Sequence, residues 1–128
     1  MNKTGIWVAL AAVLAMASAL PAVAANAPTT LRVIVVQTSD VSAYLHEVNA
    51  LQEIYKKAGS PINLRVWRAT FAGNDAGTIV VSVEYPNFMA LAKGYDLQRS
   101  NQDIMAAMKK IGGLRKIVSD SLYEQVTE

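Results

Sequence analysis

Arg65, Trp67, Ser82 and Glu84 are the residues whose types and spacing gather the most chemistry in this 128-residue chain. Arg65 and Trp67 stand two apart, as do Ser82 and Glu84, so on extended backbone each pair lies on one side of its strand. The run from Ile62 to Phe71 alternates, with Ile62, Leu64 and Val66 on one face and Asn63, Arg65, Trp67 and Phe71 on the other. Gly73-Asn74-Asp75-Ala76-Gly77 forms a hairpin loop, and Thr78 to Tyr85 returns with Ile79, Val81 and Val83 on the apolar side. Matching the two apolar faces opposes Arg65 either to Ser82 or to Glu84. Both registers collect a cation, a flat ring, a hydroxyl and a carboxylate on one surface. Roofed by a second surface, that cluster could stack a small aromatic ligand on Trp67 and pair an anion with Arg65. The same four residues also make an ordinary cross-strand ion pair beside a packed indole, worth about 0.2 to 1 kcal/mol.

Other chemistry is thinly supplied. His46 is the one histidine; in a helix whose buried stripe centres on Val48 it falls on the solvent side, roughly 160° away. With no cysteine and scattered carboxylates, the three or four converging ligands of a metal site are not expected. No nucleophile stands with a base. Gly73 and Gly77 lie between two strands rather than before a helix, so their spacing reads as turn chemistry and not as a phosphate cradle. Met89, Met105 and Met108 read as core fillers.

The start of the chain says where it works. Lys3, an apolar or small-residue run from Ile6 to Leu20, Pro21, and Ala22-Val23-Ala24 have the build of a secretory signal peptide cleaved after Ala24. Residues 1–24 are therefore expected to be removed and the product to be periplasmic or secreted. The run is shorter than the roughly 20 residues that cross a bilayer, so an uncleaved anchor fits less well. Without cysteine, no disulfide helps hold the exported product. About 104 residues remain, enough for one domain. Net charge falls from +2 to +1 on losing Lys3, with acids and bases interspersed, which argues against nucleic acid.

Residues 25–30 read as a flexible linker, and 31–128 as a single domain. Leu31 to Thr38 is a strand apolar on both faces, fit for the middle of a sheet. After Ser39 or Asp40 as cap, Val41, Tyr44, Leu45, Val48, Leu51 and Tyr55 form a helical stripe that Gly59 and Pro61 end. Pro86 and Asn87 open a second helix carrying Phe88, Leu91 and Tyr95 on one side, with Gly94 a weak point costing about 1 kcal/mol relative to Ala. A break near Ser100, capped by Ser100 with Asp103, begins a piece with Ile104, Met105, Met108 and Ile111 that Gly112-Gly113 closes. Leu114 to about Val126 reads as a last strand. The order β-α-β-β-α-β predicts an α+β, ferredoxin-like fold: a four-stranded antiparallel sheet with helices on one face, the first and third strands inside.

That order, with Val83-Glu84-Tyr85-Pro86 leading into a helix and Val118-Ser119-Asp120-Ser121-Leu122-Tyr123 in the last strand, resembles the dimeric α/β-barrel superfamily, nearest its NIPSNAP-like and stress-responsive branches. The resemblance implies a homodimer with sheets face to face; some members bind haem or oxidise small aromatic substrates. The haem-degrading and quinone-forming members combine an Asn on the first strand, a Trp, and a His on the second helix. This chain offers Gln37, Trp67 and no histidine there, so their active site is not implied and no cofactor is expected. Pairing is also suggested by the residues, because Trp67, Phe71, Val80 and part of the first strand form an apolar surface away from the helices. Three functions are compatible with this reading: a homodimeric binding module with a sheet-face cavity, a cofactor-independent oxygenase-like enzyme acting on a small aromatic substrate, and a purely structural dimer.

Overall fold

The computed structural model describes residues 27–128; the expected leader and the first two linker residues lie outside them. The elements are β1 (Thr30–Gln37), α1 (Val41–Lys57), β2 (Asn63–Arg68), β3 (Ile79–Tyr85), α2 (Phe88–Ser100), α3 (Gln102–Gly113) and β4 (Lys116–Glu124). They build one antiparallel sheet in the order β2-β3-β1-β4, with the helices on one face. This is the expected ferredoxin-like α+β arrangement, with β1 and β3 inside and β2 and β4 at the edges.

Local chemistry sets the boundaries. The Asp40 carboxylate accepts from the Ala43 N–H and starts α1. At its other end Gly59 takes φ +69°. Its N–H then bonds the Lys56 carbonyl, and the Ser60 N–H reaches back to that of Tyr55. Asn87 caps α2 by accepting from Ala90 N–H. The break near residue 100 occurs where expected, but the cap differs. Asn101, not Ser100, accepts from the N–H groups of Asp103 and Ile104, while the Ser100 hydroxyl is turned back to the Asp96 carbonyl inside α2. An amide one residue after a helix end can satisfy two orphan donors, and the serine cannot once it bonds its own helix.

Ile34, Val36, Val81, Val83 and Tyr85 from the sheet meet Tyr44, Val48, Leu51 and Tyr55 of α1, Leu91 of α2, and Ile104, Ala107 and Ile111 of α3 in one core. Gly94 belongs to this contact. A Cβ there would stand 2.7 Å from Ile62 Cδ1 and 3.4 Å from Tyr85 Cε1. The glycine that weakens α2 as an isolated helix is therefore what lets it approach the sheet. Four expectations need correcting. Phe88 and Tyr95 do not share the buried side with Leu91 but are exposed, as are Met89 and Met105; of the three methionines only Met108 packs on the core. Phe71 lies in the loop after β2, fully exposed, rather than on the strand. Thr30, placed in the linker by its neighbours' composition, is buried at the start of β1, and Thr29 Oγ1 donates to the Pro86 carbonyl at 2.7 Å.

Candidate functional site on the helix-free face

The β2–β3 register opposes Arg65 to Ser82, Trp67 to Val80 and Asn63 to Glu84, one of the two registers the apolar faces allow. The four candidate residues are thus brought together on the face away from the helices. Trp67 Nε1 donates to Ser82 Oγ at 2.9 Å. Arg65 Nε stands 2.9 Å from Glu84 Oε1, and Asn63 Nδ2 donates to Glu84 Oε2 at 2.9 Å. Asn63 was not singled out from the sequence, although its place opposite Glu84 follows from the register.

These bonds decide what the cluster can do. The hydroxyl and the carboxylate are already committed, so neither is a free base or nucleophile. The indole is held by its nitrogen and is still 52% exposed. Arg65 is anchored through Nε, while its terminal nitrogens make no hydrogen bond among the described residues. A fixed flat ring and a guanidinium offering two donors can stack an aromatic system and hold a carboxylate. Beside the guanidinium, though not reaching Trp67, runs an open cavity of about 410 Å³ whose lining includes Ala27, Pro28, Pro61, Asn63, Arg65 and Glu84.

The same face carries Leu31, Val33 and Val35 of β1, opposite Glu84, Ser82 and Val80 on one side and Tyr123, Ser121 and Ser119 on the other. His46 is on the opposite, helical side of the molecule, 81% exposed, with Nδ1 3.5 Å from Glu47 Oε1. It takes no part in the cluster. Among the described residues no three His, Asp or Glu side chains converge as metal ligands.

A second polar cluster, not anticipated, sits on the helix side. Arg32 occupies the centre of β1 between Thr30 and Ile34, where the pleat turns it toward the helices. Its Nε and Nη2 bond the two oxygens of Asp120 on β4 at 2.8 and 2.5 Å, and its guanidinium lies 6.0 Å from the Tyr95 ring centroid. Tyr55 OH accepts from Gln98 Nε2 at 2.9 Å. Burial pushes the Tyr85 phenol up to about 12, against the opposing pull of Arg32. The space between these residues and the core, lined in part by Tyr44, Tyr55, Tyr85 and Met108, is about 30 Å³, room for a few waters. The cluster therefore ties elements together and does not hold an organic ligand. An arginine at an even position of an inner strand whose other even positions pack inward was the signal for it.

The hydrogen bonds from Arg32 hold the Asp120 carboxyl below the usual carboxylate range, with partial burial opposing them. A depressed carboxylate stabilises the fold above its unfolded value near 3.9, and the contribution disappears as pH falls toward the folded value. Water reaches both side chains, so the pair is worth about 1 to 2 kcal/mol. Asp120→Asn is expected to lose that amount at neutral pH and to flatten the acid limb of stability below about pH 4. Urea titrations at several pH values check this; an unchanged acid slope contradicts it.

No family model matches the chain, and neither does any curated protein. Among solved structures it is similar to a conserved protein of unknown function from Bacteroides thetaiotaomicron, described as a possible oxidoreductase, with 12% identity and a TM-score of 0.53 over 77% of this chain and 100% of that one. It is also similar to a dimeric protein of unknown function with a ferredoxin-like fold from Bacteroides fragilis, at 16% identity and TM-score 0.45, covering 78% and 100% of the two chains. A third is an antibiotic biosynthesis monooxygenase, at 17% identity and TM-score 0.43, covering 77% and 98%. At such identities the likeness is one of fold, and on its own strand order and helix placement the chain is a ferredoxin-like α+β protein.

Proposed function

We propose that the processed, exported chain is a homodimeric binding module of the dimeric α/β-barrel kind. In this reading the helix-free faces of two copies close on each other and leave a site at Arg65, Trp67, Ser82 and Glu84 for a small flat aromatic anion. The observation that carries it is the state of that face: a half-exposed Trp67 on the same side of the sheet as Leu31, Val33, Val35, Val80 and Tyr123, with nothing over them among the described residues. An apolar surface of this extent is ordinarily covered, and a two-fold axis covers it with the same surface of another copy. The oxygenase-like alternative needs a proton acceptor beside the ring, and Glu84, already bonded by Arg65 and Asn63, is poorly placed to be one.

Residues 25–128 contain Trp67 as their sole tryptophan, so its emission reports this site alone. A panel of aromatic carboxylates should include compounds that quench it saturably, and Arg65→Ala should weaken such quenching about tenfold or more, the loss of one charge-assisted pair. A dimer indifferent to the whole panel would overturn the binding reading in favour of a purely structural dimer.

A further inference from the structure

β4 is the longest strand of the sheet, nine residues against eight, six and seven for β1, β2 and β3, yet it stands at an edge and buries no residue. Ile117, Val118, Leu122 and Tyr123 are each 45–54% exposed. Edge strands are ordinarily short or covered, because their outer N–H and C=O groups will pair with any strand offered. The opposite edge is partly covered: Gln52 Oε1 accepts from the Leu64 N–H, and Gln52 Nε2 donates to the Ile62 carbonyl, laying a side chain of α1 along the start of β2. β4 has β1 on one side and, among the described residues, nothing on the other.

The sequence of this strand matches its own reverse. From Lys116 to Glu124 it runs basic, apolar, apolar, Ser, Asp, Ser, apolar, apolar, acidic. We propose that β4 pairs antiparallel with β4 of a second copy about a two-fold axis at Asp120, so that the two sheets join along this edge and curl with their helix-free faces inward. The inference rests on the homodimer proposed above and names its seam. Because both copies keep their helices on the same side, only registers that pair residues of like facing are allowed, which are those centred on a residue. Centred on Asp120, Ser119 opposes Ser121 of the second copy, and Val118 opposes its Leu122. The ladder irregularity between Val35 and Val36 of β1 shows β4 carrying one extra residue at Val118. It places Ile117 beside Val118 against the same leucine and brings the basic end, Arg115 and Lys116, to the acidic Glu124. Asp120 meets its own copy at the axis with each carboxylate already held by Arg32. Centred on Ser119 instead, Asp120 would face Val118 and Ile117, and Lys116, past the extra residue, would face Ser121. Centred on Ser121, Asp120 would face Leu122 and Glu124 would face Val118. Of these three, the Asp120 register puts apolar residues against apolar ones and opposite charges together, with the two axial carboxylates each neutralised by an Arg32.

The absence of cysteine makes the test clean. Ser119→Cys and Ser121→Cys variants of residues 25–128 are refolded together, oxidised with diamide, and the disulfide-linked product is weighed by mass spectrometry. Directly opposed residues come within the 4.4–6.8 Å Cα separation a disulfide accepts, whereas diagonal ones stand about 7 to 8 Å apart. The mixture should give linked dimers containing one of each variant, at least tenfold more than either variant alone. Sedimentation of the same samples under reducing conditions separates the ways of failing. Dimers that never cross-link, or that link Ser119→Cys to itself, overturn the β4 seam and leave the face-to-face reading standing; monomers overturn both.

Discussion

Trp67→Asp is expected to raise the dissociation constant of the proposed homodimer by about 100-fold or more, equivalent to about 2.7 kcal/mol. The substitution removes the largest apolar side chain of the helix-free face and puts in its place a short carboxylate that must be stripped of water when the faces close. Tryptophans within an interface are among the residues whose truncation most often costs this much, and desolvating the new carboxylate adds to the loss. The isolated subunit should tolerate the change, because Trp67 is on an edge strand and 52% exposed. Within the subunit it gives up the bond to Ser82 Oγ, about 1 kcal/mol, and the packing of the covered half of the ring. Met89→Asp, on an exposed residue of α2, provides the control and should leave association unchanged. Concentration-dependent sedimentation of the two variants checks both outcomes. Equal association by wild type and Trp67→Asp would remove this face from the interface.

Tyr44→Ala is expected to cost about 3 to 5 kcal/mol of stability, a large share of the 5 to 15 kcal/mol that holds a domain of this size. Tyr44 is wholly buried on α1, its ring packed in the core, and its hydroxyl accepts from Arg115 Nη1 at 3.2 Å. Deleting the ring leaves a void where sheet and helices meet, and it also frees the arginine that leads into β4. Tyr44→Phe keeps the ring and loses only the hydrogen bond, so it should cost about 1 kcal/mol. Urea unfolding of both variants separates packing from polar contact; equal losses would contradict the assignment of most of the effect to the ring.

The fold was largely legible because periodicity carried it. The α1 stripe from Tyr44 to Tyr55 is buried residue for residue at Tyr44, Val48, Leu51 and Tyr55, and the alternation of β2 and β3 admitted two registers of which one is found. The site's polar pairs followed from that register, since opposed and diagonal residues share a face within side-chain reach: Asn63 stands opposite Glu84, and Arg65 to Glu84 and Trp67 to Ser82 are diagonal. What the pattern did not disclose has a common origin in contacts distant along the chain. Arg32 stands in a strand whose pattern predicts apolar side chains on both faces; its partner Asp120 lies 88 residues away on the edge strand β4. Phe88, Met89, Tyr95 and Met105 are hydrophobic enough to look buried, but α2 and α3 turn other residues inward, and hydrophobic side chains are common on surfaces. Gly94 counted against its helix by propensity, and only the position of Ile62 showed why a side chain cannot stand there. The cap at Asn101 was missed by one residue because two adjacent polar side chains compete for the same role, and hydrogen bonding within α2 had already engaged Ser100.

Sedimentation equilibrium of residues 25–128, with the emission spectrum of Trp67 recorded on the same samples, tests the account most directly. At micromolar concentration the mass of two chains and a blue-shifted emission are predicted, both reverting together on dilution. The mass of one chain at several hundred micromolar, with the emission of an indole in water, would contradict it.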